Sequence, residues 1–223
     1  MSHVAFHANG KELPLKGFIF DFDGVVIDTE AYHYRSWLAG AQAEGCTLDP
    51  VEYLPLKSTG NTLIAKYILE HSGRTPEEDA IRRICATKER VFREIIREFS
   101  QKDILPGIPE FLAFLREKGV KLAVASSSHA SGELAARFGF DKIFHVLIDG
   151  KTPLPRKPAP DTFLLAAEKL GVAPRDCIVF EDSLAGIGGA VNAGIPVVAI
   201  GGIQSEHAAL HLQDFSDFGN YFY

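Results

Sequence analysis

The sequence predicts an α/β fold, a doubly wound parallel sheet with a small all-helical unit inserted after its first strand. Three observations carry this. Short apolar runs that end at polar clusters recur along the chain. Helical patterns stopped by glycine lie between them. Residues 29–100 break the alternation and read as helix alone.

Taken in order, residues 1–15 read as a short irregular lead-in. Gly17-Phe18-Ile19-Phe20 is apolar, bulky and ends at a carboxylate, as a strand buried on both faces does. Lys121–Ala125, Cys177–Phe180 and Ile195–Ile200 have the same character, and Ile143–Ile148 a weaker version of it. Helices are expected over Ile108–Lys118, Ala130–Phe138, Thr162–Leu170 and Leu184–Asn192, with Gly119, Gly139, Gly171 and Gly194 as stops. Strands alternating with helices of this length favour right-handed parallel crossovers. The inserted stretch reads as helices over Glu30–Glu44, Thr62–His71 and Pro76–Phe99. The last opens on Thr75-Pro76-Glu77-Glu78, a capping-box pattern with proline at the first helical position. The chain thus divides into a core of residues 1–27 and 101–223 and a helical cap of residues 28–100, hinged at Val25–Thr29 and Gln101–Pro106. The aromatic tail Phe215–Tyr223 follows no pattern that assigns it.

A chain of 223 residues can bury one or two cores, and 46% apolar with 23% charged residues is ordinary for a globular protein. The net charge of −6 offers no broad basic surface for nucleic acid or anionic membrane. Cys46, Cys85 and Cys177 are widely spaced, odd in number and form no CxxC pair, which suits a reducing compartment rather than a disulfide framework or zinc knuckle. The N-terminus lacks the charged-then-apolar order of a secretory signal, and no apolar run approaches the roughly 20 residues of a membrane span. The expectation is a cytoplasmic monomer or weak homo-oligomer acting on a small molecule, without nucleic-acid or membrane partners.

Four motifs carry chemistry. Asp21-Phe22-Asp23-Gly24-Val25 places two carboxylates at the end of the first core strand, where open α/β sheets bind ligands. Asp21 can attack phosphorus and hold an acyl-phosphate. Asp23, crowded by acids and so biased toward its protonated form, can protonate a leaving oxygen and then activate water. A hard cation is needed to bring a dianionic phosphate to such carboxylates. By itself a DxD in a strand-end turn is usually only a turn. Val179-Phe180-Glu181-Asp182-Ser183 repeats the arrangement at a second strand end, though Asp182 or Ser183 could equally cap the following helix. Ser126 and Ser127, in Ala125-Ser126-Ser127-Ser128, precede a helix and could bind phosphate oxygens, or merely cap it. Lys157, between prolines in Pro155-Arg156-Lys157-Pro158-Ala159-Pro160-Asp161, is either a rigidly held charge beside phosphate or a solvated turn lysine.

In order and strand context these motifs resemble the haloacid-dehalogenase superfamily, in its β-phosphoglucomutase-like branch with a helical cap, over about Gly17 to Gly201. The resemblance implies a Rossmann-like core and a Mg²⁺ cofactor. It implies Asp21 as nucleophile and metal ligand, and Asp23 as acid/base that also lends its carbonyl to the metal. Glu181 and Asp182 would complete the metal site, and Ser126 and Lys157 would hold the phosphoryl group. The dehalogenases that name the superfamily typically lack an aspartate two residues after the nucleophile, so Asp23 favours phosphate chemistry.

The cap sequence Asp28-Thr29-Glu30-Ala31-Tyr32-His33-Tyr34-Arg35-Ser36-Trp37 is similar to the corresponding stretch of the mutases. There, the histidine matching His33 couples the cap to the acid/base, and Lys88 matches a lysine facing the sugar phosphate. Trp37 also matches, and packing is its simpler reading. At Leu56–Thr62 the resemblance fails. Lys57 is present and with Asn61 could recognise one substrate end, but the glycine arrives later and no arginine occurs between Lys57 and Arg74. A bisphosphate grip wants that bidentate fork. The expected activity is hydrolysis of a small phosphate ester, a sugar phosphate or similar metabolite. A sugar-phosphate mutase is the first alternative, and a non-catalytic binding protein on the same fold is the second. Two other patterns are set aside. His207-Ala208-Ala209-Leu210-His211 reads as a solvated helix face rather than a zinc site, and Gly186-Ile187-Gly188-Gly189 as close helix–sheet packing rather than a dinucleotide loop.

Overall fold

The computed structural model describes residues 2–8, 10–57 and 59–223. They form two compact units, one of residues up to Asp28 with Gln101–Tyr223, the other of Thr29–Ser100.

The first unit opens with strands β1 (Val4–Ala8) and β2 (Lys11–Leu15), an antiparallel pair with Phe6 opposite Leu13. This corrects the irregular lead-in. Val4 and Phe6 point into the core while His7 stays exposed, a period of two. Strand β3 (Gly17–Phe20) follows and is buried throughout.

The inserted unit contains α1 (Glu30–Ala43), α2 (Pro50–Tyr53), α3 (Asn61–His71) and α4 (Glu78–Ile95). Its core gathers Trp37, Ala41, Leu48, Tyr53, Ile64, Ile68 and Ile84. Helices α1 and α4 approach closely at Gly40, where a Cβ would stand 2.8 Å from the Ile84 carbonyl oxygen. The expected capping box does not form. Helix α4 starts two residues later than the proline, its N-cap Glu77 makes no side-chain capping bond, and Glu78 and Asp79 supply the negative charge of its first turn.

The chain then returns through α5 (Ile108–Glu117), β4 (Lys121–Ala125), α6 (Ser131–Arg137), β5 (Val146–Ile148), α7 (Asp161–Leu170), β6 (Cys177–Glu181), α8 (Leu184–Asn192), β7 (Val197–Ile200) and β8 (Leu210–Leu212). The six core strands are parallel in the order β5-β4-β3-β6-β7-β8. Two strands are shorter than expected. Ile195 donates its N–H to Ala190 in ending α8, and Ile143 and Phe144 turn back onto Phe140, so neither run is extended throughout. Strand β8 was not expected. It overturns the helical reading of the histidine pair, because His211 lies exposed on this edge strand and accepts a hydrogen bond from the Ser205 N–H at 3.2 Å.

One sheet face packs Ile19, Ala123 and Val179 against Phe163 and Ala166 of α7 and Ile187 and Ala190 of α8. The other is aromatic. Phe20 stacks on Phe180 at 4.7 Å, and Phe111 of α5 meets Phe215 at 5.4 Å and Phe222 at 5.1 Å. Phe222 stacks on Phe6 at 4.9 Å, and Tyr223 exchanges backbone hydrogen bonds with Ala5. The tail and the first strand therefore close this face together. Among the described residues no helix is long and apolar enough to cross a membrane.

Candidate active site

Parallel register sets the site. Phe20 of β3 is level with Val124 of β4 and Phe180 of β6, so the next residues, Asp21, Ala125 and Glu181, emerge side by side. From β3 the chain runs to β4 and β5 on one side and then crosses to β6, β7 and β8 on the other, which makes the end of β3 the switch point where such sheets bind ligands.

Beyond Asp21 the chain turns tightly. The Gly24 N–H donates to the Ile27 carbonyl at 2.8 Å, and Gly24 has φ 75°. This is a conformation that glycine adopts without strain. A side chain there would also overlap the Asp182 carboxylate. Asp21, Glu181 and Asp182 are all buried, and one oxygen of each lies within 4.8 Å of the others. Lys157, 3% exposed, reaches into this cluster. Its Nζ donates to Asp21 Oδ1 at 2.7 Å, Glu181 Oε1 at 2.6 Å and the Ala125 carbonyl at 3.1 Å.

Burial pushes the Asp21 carboxyl well above the usual carboxylate range. Lys157 opposes this, while Glu181, Asp182 and Asp23 add to it. Burial pulls the Lys157 ammonium the other way, but Asp21 and Glu181 outweigh it and hold the group above its ordinary value, so it stays charged. When ionised, three carboxylates against one ammonium leave two negative charges in a buried place. That imbalance and an all-oxygen donor set fit a hard divalent cation.

Glu181 is held from behind. The Ser183 N–H and Oγ–H donate to its Oε2 at 3.0 and 2.9 Å, while Ser183 Oγ accepts from the Gly186 N–H and caps α8. Of the two candidate caps it is Ser183 that caps, and Asp182 that joins the cluster. The holding role of Ser183 had no signal in the sequence beyond its capping pattern.

Ser126 is buried and donates to Asp23 Oδ2 at 3.4 Å, while its Oγ accepts from the Ser128 N–H at 3.0 Å. Ser127 follows it, half-buried. The serines are not at a helix N-terminus, which corrects that expectation. Helix α6 begins at Ser131 after Ala130, and the run forms its own turn, with the Ala130 N–H donating to Ser128 Oγ.

The remaining candidates lie in the helical unit. His33 stacks on Phe92 at 4.1 Å. Lys88, buried, lies 4.9 Å from the Phe92 ring centre and 5.5 Å from that of Trp37. Lys88 Nζ and Asn61 Nδ2 both donate to Glu89 Oε1 at 3.1 Å, so Glu89, which sequence reasoning missed, joins two of them. Lys57 forms an ion pair with Glu30.

Haloacid dehalogenase-like hydrolases match this chain over residues 15–194. The β-phosphoglucomutase of Bacillus subtilis is 33% identical over 189 residues, 84% of each chain. A phosphorylated carbohydrates phosphatase of Thermotoga maritima is 30% identical, covering 81% of this chain and 82% of its own. The crystal structure of β-phosphoglucomutase from Clostridium difficile superposes with a TM-score of 0.81 at 29% identity, over 91% of this chain and 92% of that one.

Proposed function

The chain belongs to the haloacid dehalogenase-like hydrolase family, and we propose that it hydrolyses a small phosphorylated metabolite, a sugar phosphate in class, through a phosphoryl group carried on Asp21. The observation that carries this reading is the meeting of Asp21, Glu181 and Asp182 around Lys157 at the switch point of the sheet.

A Mg²⁺ ion held by Asp21, Glu181, Asp182 and the Asp23 carbonyl would neutralise phosphate charge and polarise the phosphoryl oxygens. An Asp21 carboxylate oxygen attacks phosphorus, the bond to the leaving oxygen breaks, and Asp23 delivers its proton to that oxygen. In the second half Asp23 takes a proton from water, water attacks the phosphoryl group, and Asp21 leaves as carboxylate. Lys157 holds a fixed positive charge beside the transferring group throughout, with Ser126 and Ser127 as hydroxyl donors. In the helical unit, Lys57, Asn61, Lys88 and His33 are the candidates for recognising the substrate. The unpaired state of Cys46, Cys85 and Cys177 supports a reducing, cytoplasmic setting.

The test is turnover of p-nitrophenyl phosphate and a panel of sugar phosphates with Mg²⁺ and with chelator, plus mass spectrometry of the trapped enzyme. Metal-dependent phosphate release and a phosphoryl group on Asp21 are expected. Full activity in chelator, or label on another residue, would overturn the mechanism. A mutase remains the second reading, favoured by the sequence match of His33 and Lys88 to the mutase cap and by the mutase among the relatives.

A further inference from the structure

Lys157 Nζ has three hydrogens, and all three are in use, on Asp21, Glu181 and the Ala125 carbonyl. If Lys157 is to hold a transferring phosphoryl group, one hydrogen must leave its present partner. Something must keep the ammonium in place during that exchange. A further contact is Phe163 of α7, fully buried, whose ring centre lies 4.7 Å from Nζ. A ring face attracts a cation without consuming a hydrogen.

Phe163 is itself seated by α8. A Cβ at Gly189 would stand 3.1 Å from Phe163 Cε2 and 3.2 Å from the Ala159 carbonyl oxygen, and one at Gly188 would stand 3.2 Å from Pro158 Cβ. Asn192, at the end of the same helix, donates Nδ2–H to the Pro158 carbonyl at 2.9 Å. The glycines of the Gly186-Ile187-Gly188-Gly189 stretch therefore face, in turn, Glu181, the Lys157 loop and Phe163. Their arrangement serves this site as well as helix–sheet packing.

We propose that Phe163, seated against Gly189, is a positioning residue that holds the Lys157 ammonium in line with Asp21 while its hydrogen-bond partners change. The proposal rests on the phosphoryl-transfer reading of Lys157. Its test is Phe163→Leu, which keeps an apolar group of similar bulk and removes the ring face. With p-nitrophenyl phosphate and Mg²⁺ the variant should lose about tenfold in kcat. Inhibition by vanadate, a phosphoryl mimic, should weaken by a similar factor. Phe163→Tyr, which restores a ring, should recover most of both.

A thermal melt checks that each variant is folded. Should Phe163→Leu fail to fold, Gly189→Ala, which pushes on the ring, is read in the same two assays with the same expectation. A folded variant with wild-type kcat and vanadate inhibition overturns the inference. So does a kcat loss that leaves vanadate inhibition unchanged, which would mark a structural role. If the wild-type enzyme itself releases no phosphate, the functional reading fails instead.

Discussion

Gly186 lies directly against Glu181, and a Cβ at this position would overlap the Glu181 carboxylate. In an exposed helix, replacing glycine by alanine stabilises by about 1 kcal/mol. Here the gain is opposed by displacement of a buried acid that Ser183 and Lys157 hold in place. Gly186→Ala should lower kcat/KM about 100-fold, comparable to losing one preorganised group. The Mg²⁺ concentration for half-activation should rise with it. Steady-state kinetics over a Mg²⁺ series checks this, and an unaltered activation curve would contradict it.

Asp21 allows a prediction with a defined sign. Its folded-state pKa is raised above the unfolded value of about 3.9. The group therefore contributes stability that is fully present below that value and is lost as pH rises through the folded pKa, so on its account the metal-free fold is weaker at neutral pH than in acid. Asp21→Asn should abolish turnover yet raise the metal-free Tm at pH 7, each kcal/mol appearing as about 2–4 °C in a chain of this size. The difference should vanish toward pH 4. Mg²⁺ should raise the wild-type Tm and leave the variant nearly unmoved. Melts at both pH values, with and without the ion, decide it.

Cys177 gives a second pH window far from the chemistry. Burial, with a smaller push from Asp176, takes its thiol up to about 12. An unfolded thiol ionises near 8.5. Between those values the unfolded chain gives up the proton first, so stability falls as pH rises, by at most about 1.4 kcal/mol per unit. Wild type should lose Tm faster than Cys177→Ala between pH 9 and 11. In the folded protein, alkylation at neutral pH should reach the half-buried Cys85 and spare Cys177.

The strand-end motifs were legible because both-face burial leaves a simple signature. Gly17–Phe20 and Leu122–Ala125 are apolar throughout, and parallel pairing in register brings whatever follows them to one place. The first hairpin also had a signal in the sequence, the pair Asn9-Gly10, common in hairpin turns, between two short runs. The tail had none. Phe215 and Phe222 are ordered by tertiary contact with Phe111, which no local period announces. The pairing of Lys88 and Asn61 on Glu89 was equally out of reach, because it depends on how α3 and α4 pack.

That pairing bears on the choice between hydrolysis and mutase chemistry. A mutase must hold a second phosphate while the sugar turns over, which calls for uncompensated positive charge away from the reacting phosphoryl group. In the helical unit Lys88 is compensated by Glu89 and Lys57 by Glu30, and Asn61 spends an amide hydrogen on the same Glu89. If these residues recognise the substrate as proposed, a distal dianion would meet two carboxylates beside the two lysines, whereas sugar hydroxyls could both donate to Glu89 and accept from Lys88. The stacking of His33 on Phe92 suits either chemistry. Charge balance is the stronger consideration, since repulsion of a dianion by two nearby acids cannot be relieved by a small rotation. Given β-glucose 1-phosphate with catalytic glucose 1,6-bisphosphate, the enzyme should release inorganic phosphate faster than it forms glucose 6-phosphate. Following both products in one assay settles the matter, and rapid glucose 6-phosphate with little phosphate would establish the mutase.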